Sequence, residues 1–219
     1  MNHIETLRAE ISEYFDPQNL VEDSLSTDYS PNKEFRIQKS RYRQTTPDLN
    51  WHVTKVEIFE NVTGEKLFDF LANDTFFHAW LNIDETLFLV GAEDMFGGQS
   101  VIDLTNRRME SYSPGVDGFI WTEFFLSPDG KSLATIGCVW ASPYEIRVYD
   151  FRDPMTLPLP ELKAVTLKGT ETIVGWLNNV SLQTEGVDEE VEEEEGPDGN
   201  LTWRALGTRR IGRIIRIDE

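Results

Sequence analysis

From residue 33 onward, apolar and polar side chains alternate over short runs, with the two-residue period of a half-buried strand. Phe35-Arg36-Ile37, Val53 through Phe59 and Leu67-Phe68-Asp69-Phe70 carry this pattern and are rich in aromatic and β-branched residues. Further strands are predicted near 77–81, 87–91, 100–104, 120–126, 133–140, 145–151, 173–177, 201–206 and 210–217. The first residues follow another period. Ile4, Leu7, Ile11 and Phe15 are spaced 3, 4 and 4 apart, which predicts a short amphipathic helix stopped by Asp16-Pro17. The polar stretch 22–31 reads as a loop. The chain therefore divides into residues 1–32, a helix and polar loop, and 33–219, an all-β body.

The strands repeat. Trp80-Leu81-Asn82 through Gly91 is matched by Phe125-Leu126-Ser127 through Gly137, and a third copy starts at Trp176-Leu177-Asn178. Leu81 to Leu126 is 45 residues and Leu126 to Leu177 is 51. A second element recurs as Val56-Glu57-Ile58, Val101-Ile102-Asp103 and Arg147-Val148-Tyr149. Between the two lies a tight turn in the clearest copy. In Pro128-Asp129-Gly130-Lys131 proline presets φ, Asp caps the turn and Gly takes the left-handed conformation. The apolar run Leu133–Gly137 suits a strand buried on both faces, so each sheet must stack on the next.

A period near 45 with several strands per unit resembles the WD40-like and YVTN-like β-propeller superfamily over roughly residues 50 to 180. The chain departs from the named subfamilies. No tryptophan precedes an aspartate, and Gly97-Gly98 does not recur as kelch repeats require. Residues 33–219 hold about four units at ~47 residues each, too few for six to eight blades. The expected fold is a small or incomplete β-propeller-like array of about four antiparallel sheets with a short N-terminal helix. The first unit is expected to supply two strands, about 33–45 and 51–60. Open end sheets would need cover from the helix, a second protomer or a partner.

Charge narrows the partners. Twenty Lys+Arg against 39 Asp+Glu give −19, which argues against nucleic acid and anionic membranes and for a basic protein. No apolar run approaches the ~20 residues of a membrane span, and the N-terminal residues lack the basic flank of a leader. A cytoplasmic protein is expected. The single cysteine, Cys138, excludes an internal disulfide and reads as a packed thiol. His3, His52 and His78 have no metal-ligand spacing. Nucleophile-elbow, Walker and dinucleotide motifs are missing from the sequence. No catalytic residue, metal site or cofactor is expected. Residues 185–200 carry nine acids and no base, which predicts a mobile acidic loop inserted in the fourth unit.

Trp80 and Trp176 occupy matching repeat positions and are expected in the packing between sheets. Trp51, Trp121 and Trp203 lie in strands and are read the same way. Trp140 instead ends a strand and leads through Ala141-Ser142-Pro143 to Tyr144. The equivalent connection one unit earlier is 92–99, with Glu93, Asp94 and Phe96. Equivalent connections fall on one rim, so Phe96, Trp140 and Tyr144 are candidates for an aromatic partner-binding patch edged by Asp94. The opposing expectation is that these rings fold back over strand ends. The functional expectation is a non-catalytic protein-interaction module, in its sharpest form an acidic inhibitor or immunity-type protein for a basic partner. The alternative is a propeller-type enzyme or small-ligand binder using rim carboxylates. A homodimer through an open sheet edge is a further expectation.

Overall fold

The computed structural model describes residues 1–43, 51–195 and 201–218, with residues 189–195 and 201–206 described by their backbone alone. The helix α1 spans Ile4–Ile11 and buries Ile4 and Ile11 of the predicted stripe, ending before Phe15. Two 3₁₀ turns follow, Ser12–Tyr14 and Pro17–Asn19, with Asp16 capping the second.

Four antiparallel sheets then succeed one another, each a meander of consecutive strands. The first holds β1 (Ser26–Tyr29), β2 (Phe35–Arg43), β3 (His52–Glu60) and β4 (Lys66–Ala72). The second holds β5 (His78–Ile83), β6 (Thr86–Gly91), β7 (Gln99–Asp103) and β8 (Arg108–Tyr112). The third holds β9 (Phe119–Leu126), β10 (Ser132–Val139), β11 (Glu145–Asp150) and β12 (Glu161–Thr166). The fourth holds β13 (Thr172–Asn178), β14 (Ser181–Glu195) and β15 (Leu201–Arg216).

Each sheet packs on the next through its own apolar cluster, so the molecule is an incomplete propeller-like array. Ile37, Val56, Ile58 and Phe70 of the first sheet meet Leu89 and Ile102 of the second, with Phe76 and Leu104 from the flanking connections. Leu81, Phe88, Val90 and Val101 meet Phe119, Trp121, Leu133 and Tyr149. Ala134, Ile136, Ile146 and Val148 meet Ile173, Leu182 and Ile215. The middle sheets are consequently apolar on both faces. In β6, Leu87 and Leu89 point to one cluster while Phe88 and Val90 point to the other. The Pro128–Lys131 turn forms as its residues dictate: Gly130 sits at φ +71° and its N–H donates to Ser127 O at 2.9 Å.

The first strands of successive sheets are stitched by the repeated tryptophans. Trp80 Nε1 on β5 donates to Asp28 Oδ2 on β1 at 2.8 Å, and Trp176 Nε1 on β13 donates to Phe125 O on β9 at 3.1 Å. The repeat position is therefore a tie between sheets as well as packing. At the first joint a polar chain accompanies it. Lys39 Nζ lies 3.3 Å from Phe76 O and 3.4 Å from His78 Nδ1, whose Nε2 is 3.2 Å from Asp28 Oδ2.

Two expectations are corrected here. The first unit has four strands, not two, and β1 lies inside the polar stretch read as loop. All four residues of β1 are exposed, so it lacks the alternation that marks a half-buried strand. The acidic run is not an unpaired loop up to Glu195: β14 continues through it, paired with β15. Two of its acids lie across the ladder from arginines, Asp188 opposite Arg209 and Glu192 opposite Arg204, while the others face Gly, Thr, Trp or Leu. Cross-strand pairing of opposite charges at these positions offsets part of the self-repulsion that argued for a loop. Asp188 and Arg209 form an ion pair at 3.5 Å. The rest of the predicted loop, 196–200, lies outside the described residues.

Candidate functional site: an aromatic rim

In the first three sheets, the described residues between second and third strand bring one ring each to a common place. In the first sheet the connection ends at Trp51, just before β3; in the second it is 92–98; in the third it is 140–144. Three rings from these three connections converge. Trp51 and Phe96 stack with centroids 6.0 Å apart and planes at 28°. Trp140 meets Phe96 edge-on at 6.0 Å and Trp51 at 6.4 Å. Such pairs contribute about 0.5–1.5 kcal/mol each beyond the area they bury. Trp51 Nε1 donates to Asn73 O at 2.9 Å, which fixes the ring. Trp140 remains 57% exposed, which leaves an indole at the surface of the platform.

The connection carrying Phe96 is held from within. Asp94 Oδ1 accepts from Asn73 Nδ2 at 2.9 Å and from the Phe96 N–H at 3.0 Å, and Oδ2 accepts from Ser113 Oγ at 2.6 Å. Asn73 Oδ1 in turn accepts from the Met95 N–H at 2.8 Å. Gly97 adopts φ +109°, and a Cβ there would stand 2.8 Å from Gly118 Cα. A side chain at Gly97 would thus separate this connection from the one joining β8 to β9. Asp94 was expected at the edge of the patch; it is buried and acts as the clasp that aims Phe96. The reason is local: a short polar acid at a loop start caps its own backbone two residues on.

Phe96 and Trp140 are brought together as the repeat spacing implied. Tyr144 is 53% exposed and stands elsewhere, lining a cleft with Phe77, Leu167 and Thr170. Trp51 was missed because it reads as a strand tryptophan. Its position becomes equivalent to the others only when the first unit is given all four strands.

Beside the rings a cleft of about 260 Å³ opens between α1 and the β8–β9 connection. His3, Leu7 and Glu10 form one wall, Gly115, Val116 and Asp117 the other, with Asp94, Phe96 and Ser113 also lining it. The helix is fixed at this place by Arg8. Its Nε and Nη2 each donate at 2.9 Å to Glu93, whose side chain is fully buried. The hydrogen bond to Glu93 raises the Arg8 pKa despite partial burial. Ser111 Oγ donates to the same carboxylate. Among the described residues no group of three or more metal-ligating side chains forms. Cys138 is half-buried in β10, and burial pushes its thiol pKa up, away from nucleophilic use.

No protein-family model matches this sequence. An uncharacterised protein of Acanthamoeba polyphaga mimivirus is 27% identical over 149 residues, which cover 66% of this chain and 57% of that protein. The chain thus matches little more than half the length of this relative. Among solved structures, the dihydro-heme d1 dehydrogenase NirN is similar over 89% of this chain and 39% of its own, at 13% identity and a TM-score of 0.49. The β-propeller domain of the Myceliophteria thermophila protein Swd1 is similar over 83% and 72%, at 11% identity and a TM-score of 0.40. TolB from Acinetobacter baumannii is similar over 90% and 45%, at 11% identity and a TM-score of 0.40. These similarities concern the course of the sheets, and the function has to be argued from the chain's own residues.

Proposed function

We propose that this chain is a protein-interaction module whose aromatic rim engages a partner of basic surface. The observation that carries the reading is the convergence of Trp51, Phe96 and Trp140 from three equivalent connections, with Trp140 more than half exposed. Pre-packed aromatics bind at low entropic cost, and tryptophan is the residue most enriched where interfaces concentrate their energy. The net charge of −19 supplies the second half. It attracts a basic partner over a distance set by the Debye length, about 8 Å at physiological salt.

The test is an immobilised peptide array with arginine- and lysine-containing, acidic and uncharged members, read with the wild-type protein and Trp140→Ala. Binding confined to basic members, and lost in the variant while its circular dichroism is unchanged, is the expected result. Equal binding of wild type and variant, or selection of acidic members, overturns the reading.

A further inference from the structure

Resting on that reading of the rim, we propose that the cleft between α1 and the β8–β9 connection seats one arginine or lysine side chain of the bound partner, beside the residue that lies on Trp140. Phe96 links the two places, since it belongs to the ring platform and also lines the cleft. At about 260 Å³ the cleft falls below the roughly 300–1,000 Å³ of sites for drug-sized ligands, so its natural occupant is a single side chain.

The lining matches the two halves of a basic side chain. Leu7, Val116 and the ring of Phe96 offer apolar surface to an aliphatic stem, as long basic side chains require. Three carboxylates await the charged end: Glu10 and Asp117, both exposed at the mouth, and Asp94, which is buried. No lysine or arginine lines the cleft. An ionised carboxylate has about four acceptor positions. Asp94 spends three of them on Asn73, the Phe96 N–H and Ser113, which leaves one for a donor arriving through the cleft. Arg8, the cation nearest in sequence, is committed to Glu5 and Glu93. The cleft therefore discriminates by charge, while the rings select an apolar or aromatic neighbour.

The experiment uses the full chain and two acetylated, amidated dipeptides, Phe-Arg and its uncharged isostere Phe-citrulline. Amide shifts of Leu7, Phe96, Gly115 and Val116 and the indole shift of Trp140 are followed by NMR during titration. The arginine peptide is expected to bind about tenfold more tightly, the worth of one charge-assisted hydrogen bond. Glu10→Gln with Asp117→Asn should weaken that preference, since two of the three carboxylates lose their charge while Asp94 keeps its own, and both positions are exposed, so folding is not at issue. Trp140→Ala should weaken both peptides by a similar factor. If the two peptides bind with equal affinity, or the preference is undiminished in the double variant, the seat is refuted and the rim reading stands. If neither peptide moves Trp140 or Phe96, both are refuted.

Discussion

The two end sheets of the array are finished in opposite ways. The outward face of the first sheet is polar and strapped. Lys55 and Lys66 flank Glu57 at 3.1 and 3.3 Å, Lys66 reaches Asp69 at 2.8 Å, and the Arg36 guanidinium lies 4.5 Å above the ring of Phe59. The N-terminal segment then folds over one end, with Phe15 against Tyr42 at 4.9 Å and Val53, opposite Tyr42, fully buried. The fourth sheet has three strands and, among the described residues, no such strap. Val174 and Ile214, whose neighbours Ile173 and Ile215 point into the core, are 51% and 63% exposed on its outer face. An array of stacked sheets needs a cap wherever stacking stops. This chain builds its cap from its own first twenty residues at one end and leaves apolar side chains bare at the other.

The strap is tied down by one fully buried carboxylate, beside its backbone and Asn2 bonds to 111–113, and breaking that ion pair is the largest effect expected from the pairs at the two ends. Arg8→Ala leaves the Glu93 carboxylate fully buried, with the Ser111 hydroxyl as its remaining side-chain partner. An uncompensated buried charge costs about 3–5 kcal/mol. Urea unfolding should show a loss of about 3 kcal/mol, and Glu93→Gln added to Arg8→Ala should recover most of it. A loss below about 1 kcal/mol would mean that α1 contributes little to the cap.

The fourth sheet has a pair of the same kind, and it should matter less. Arg213 donates to Glu171, whose side chain is also fully buried, from Nε at 2.8 Å and from Nη2 at 2.5 Å. In Arg213→Ala, however, Glu171 keeps two other donors, Thr184 Oγ1 at 2.5 Å and the Lys168 N–H at 3.1 Å. A loss of about 2 kcal/mol is expected. Hydrogen exchange should place it in β13 and β15, with β1–β4 unchanged. If Arg213→Ala costs more than Arg8→Ala, the fourth sheet is the better fastened end and the contrast fails.

How much of this asymmetry was legible differs along the chain. The strands that reveal themselves are those with one or both faces in the core, because burial imposes the period. β6, β10 and β11 were placed within a residue or two, and with them the stacking of sheets. β1, β8 and β12 were not: Arg108–Tyr112 and Glu161–Thr166 are short, half-exposed outermost strands whose burial is too weak to write a pattern. Rim residues are harder still. Repeat spacing located Phe96 and Trp140, but exposure and clasping are tertiary facts. The sequence spacing could not tell that Asp94 turns inward or that Trp51 joins the rings. The acidic run misled because its charge density was given more weight than the ladder it forms with the arginine-bearing last strand.

Acidification should separate the two ends by pH. His78 at the first joint is pushed below its ordinary value of 6.5, chiefly by burial and then by Lys39, against the opposing pull of Asp28. The folded state thus resists the proton that the unfolded chain accepts. Stability is full above about 6.5 and falls as pH drops through the folded pKa. At the fourth sheet, burial works to raise Glu171, but hydrogen bonds from Arg213 and Thr184 outweigh it and hold the pKa below 4.5. Its contribution is present above 4.5 and is lost at lower pH. Amide protection in β1 and β5, corrected for the intrinsic exchange rate, should therefore fall as pH drops below 6.5, before β13 and β15 respond below 4.5. His78→Asn should remove the earlier phase; simultaneous loosening of both ends would show that the array unfolds as one unit.

The smallest effect is expected where the comparison began, on the bare face. Val174→Lys and Ile214→Lys place charge on side chains that already meet solvent, so each should change stability by no more than about 0.5 kcal/mol. By contrast Ile37→Ala, inside the first joint and fully buried, should cost about 2–4 kcal/mol. Sedimentation run beside the unfolding measurements makes the surface substitutions informative. If Val174→Lys or Ile214→Lys lowers stability by 2 kcal/mol or more and dissociates a larger species, the fourth sheet is capped after all, by a second copy. If stability and mass are both unchanged, the face is bare in solution, and the array ends there at the expense of exposed apolar surface that the first sheet avoids with its ion pairs and its strap.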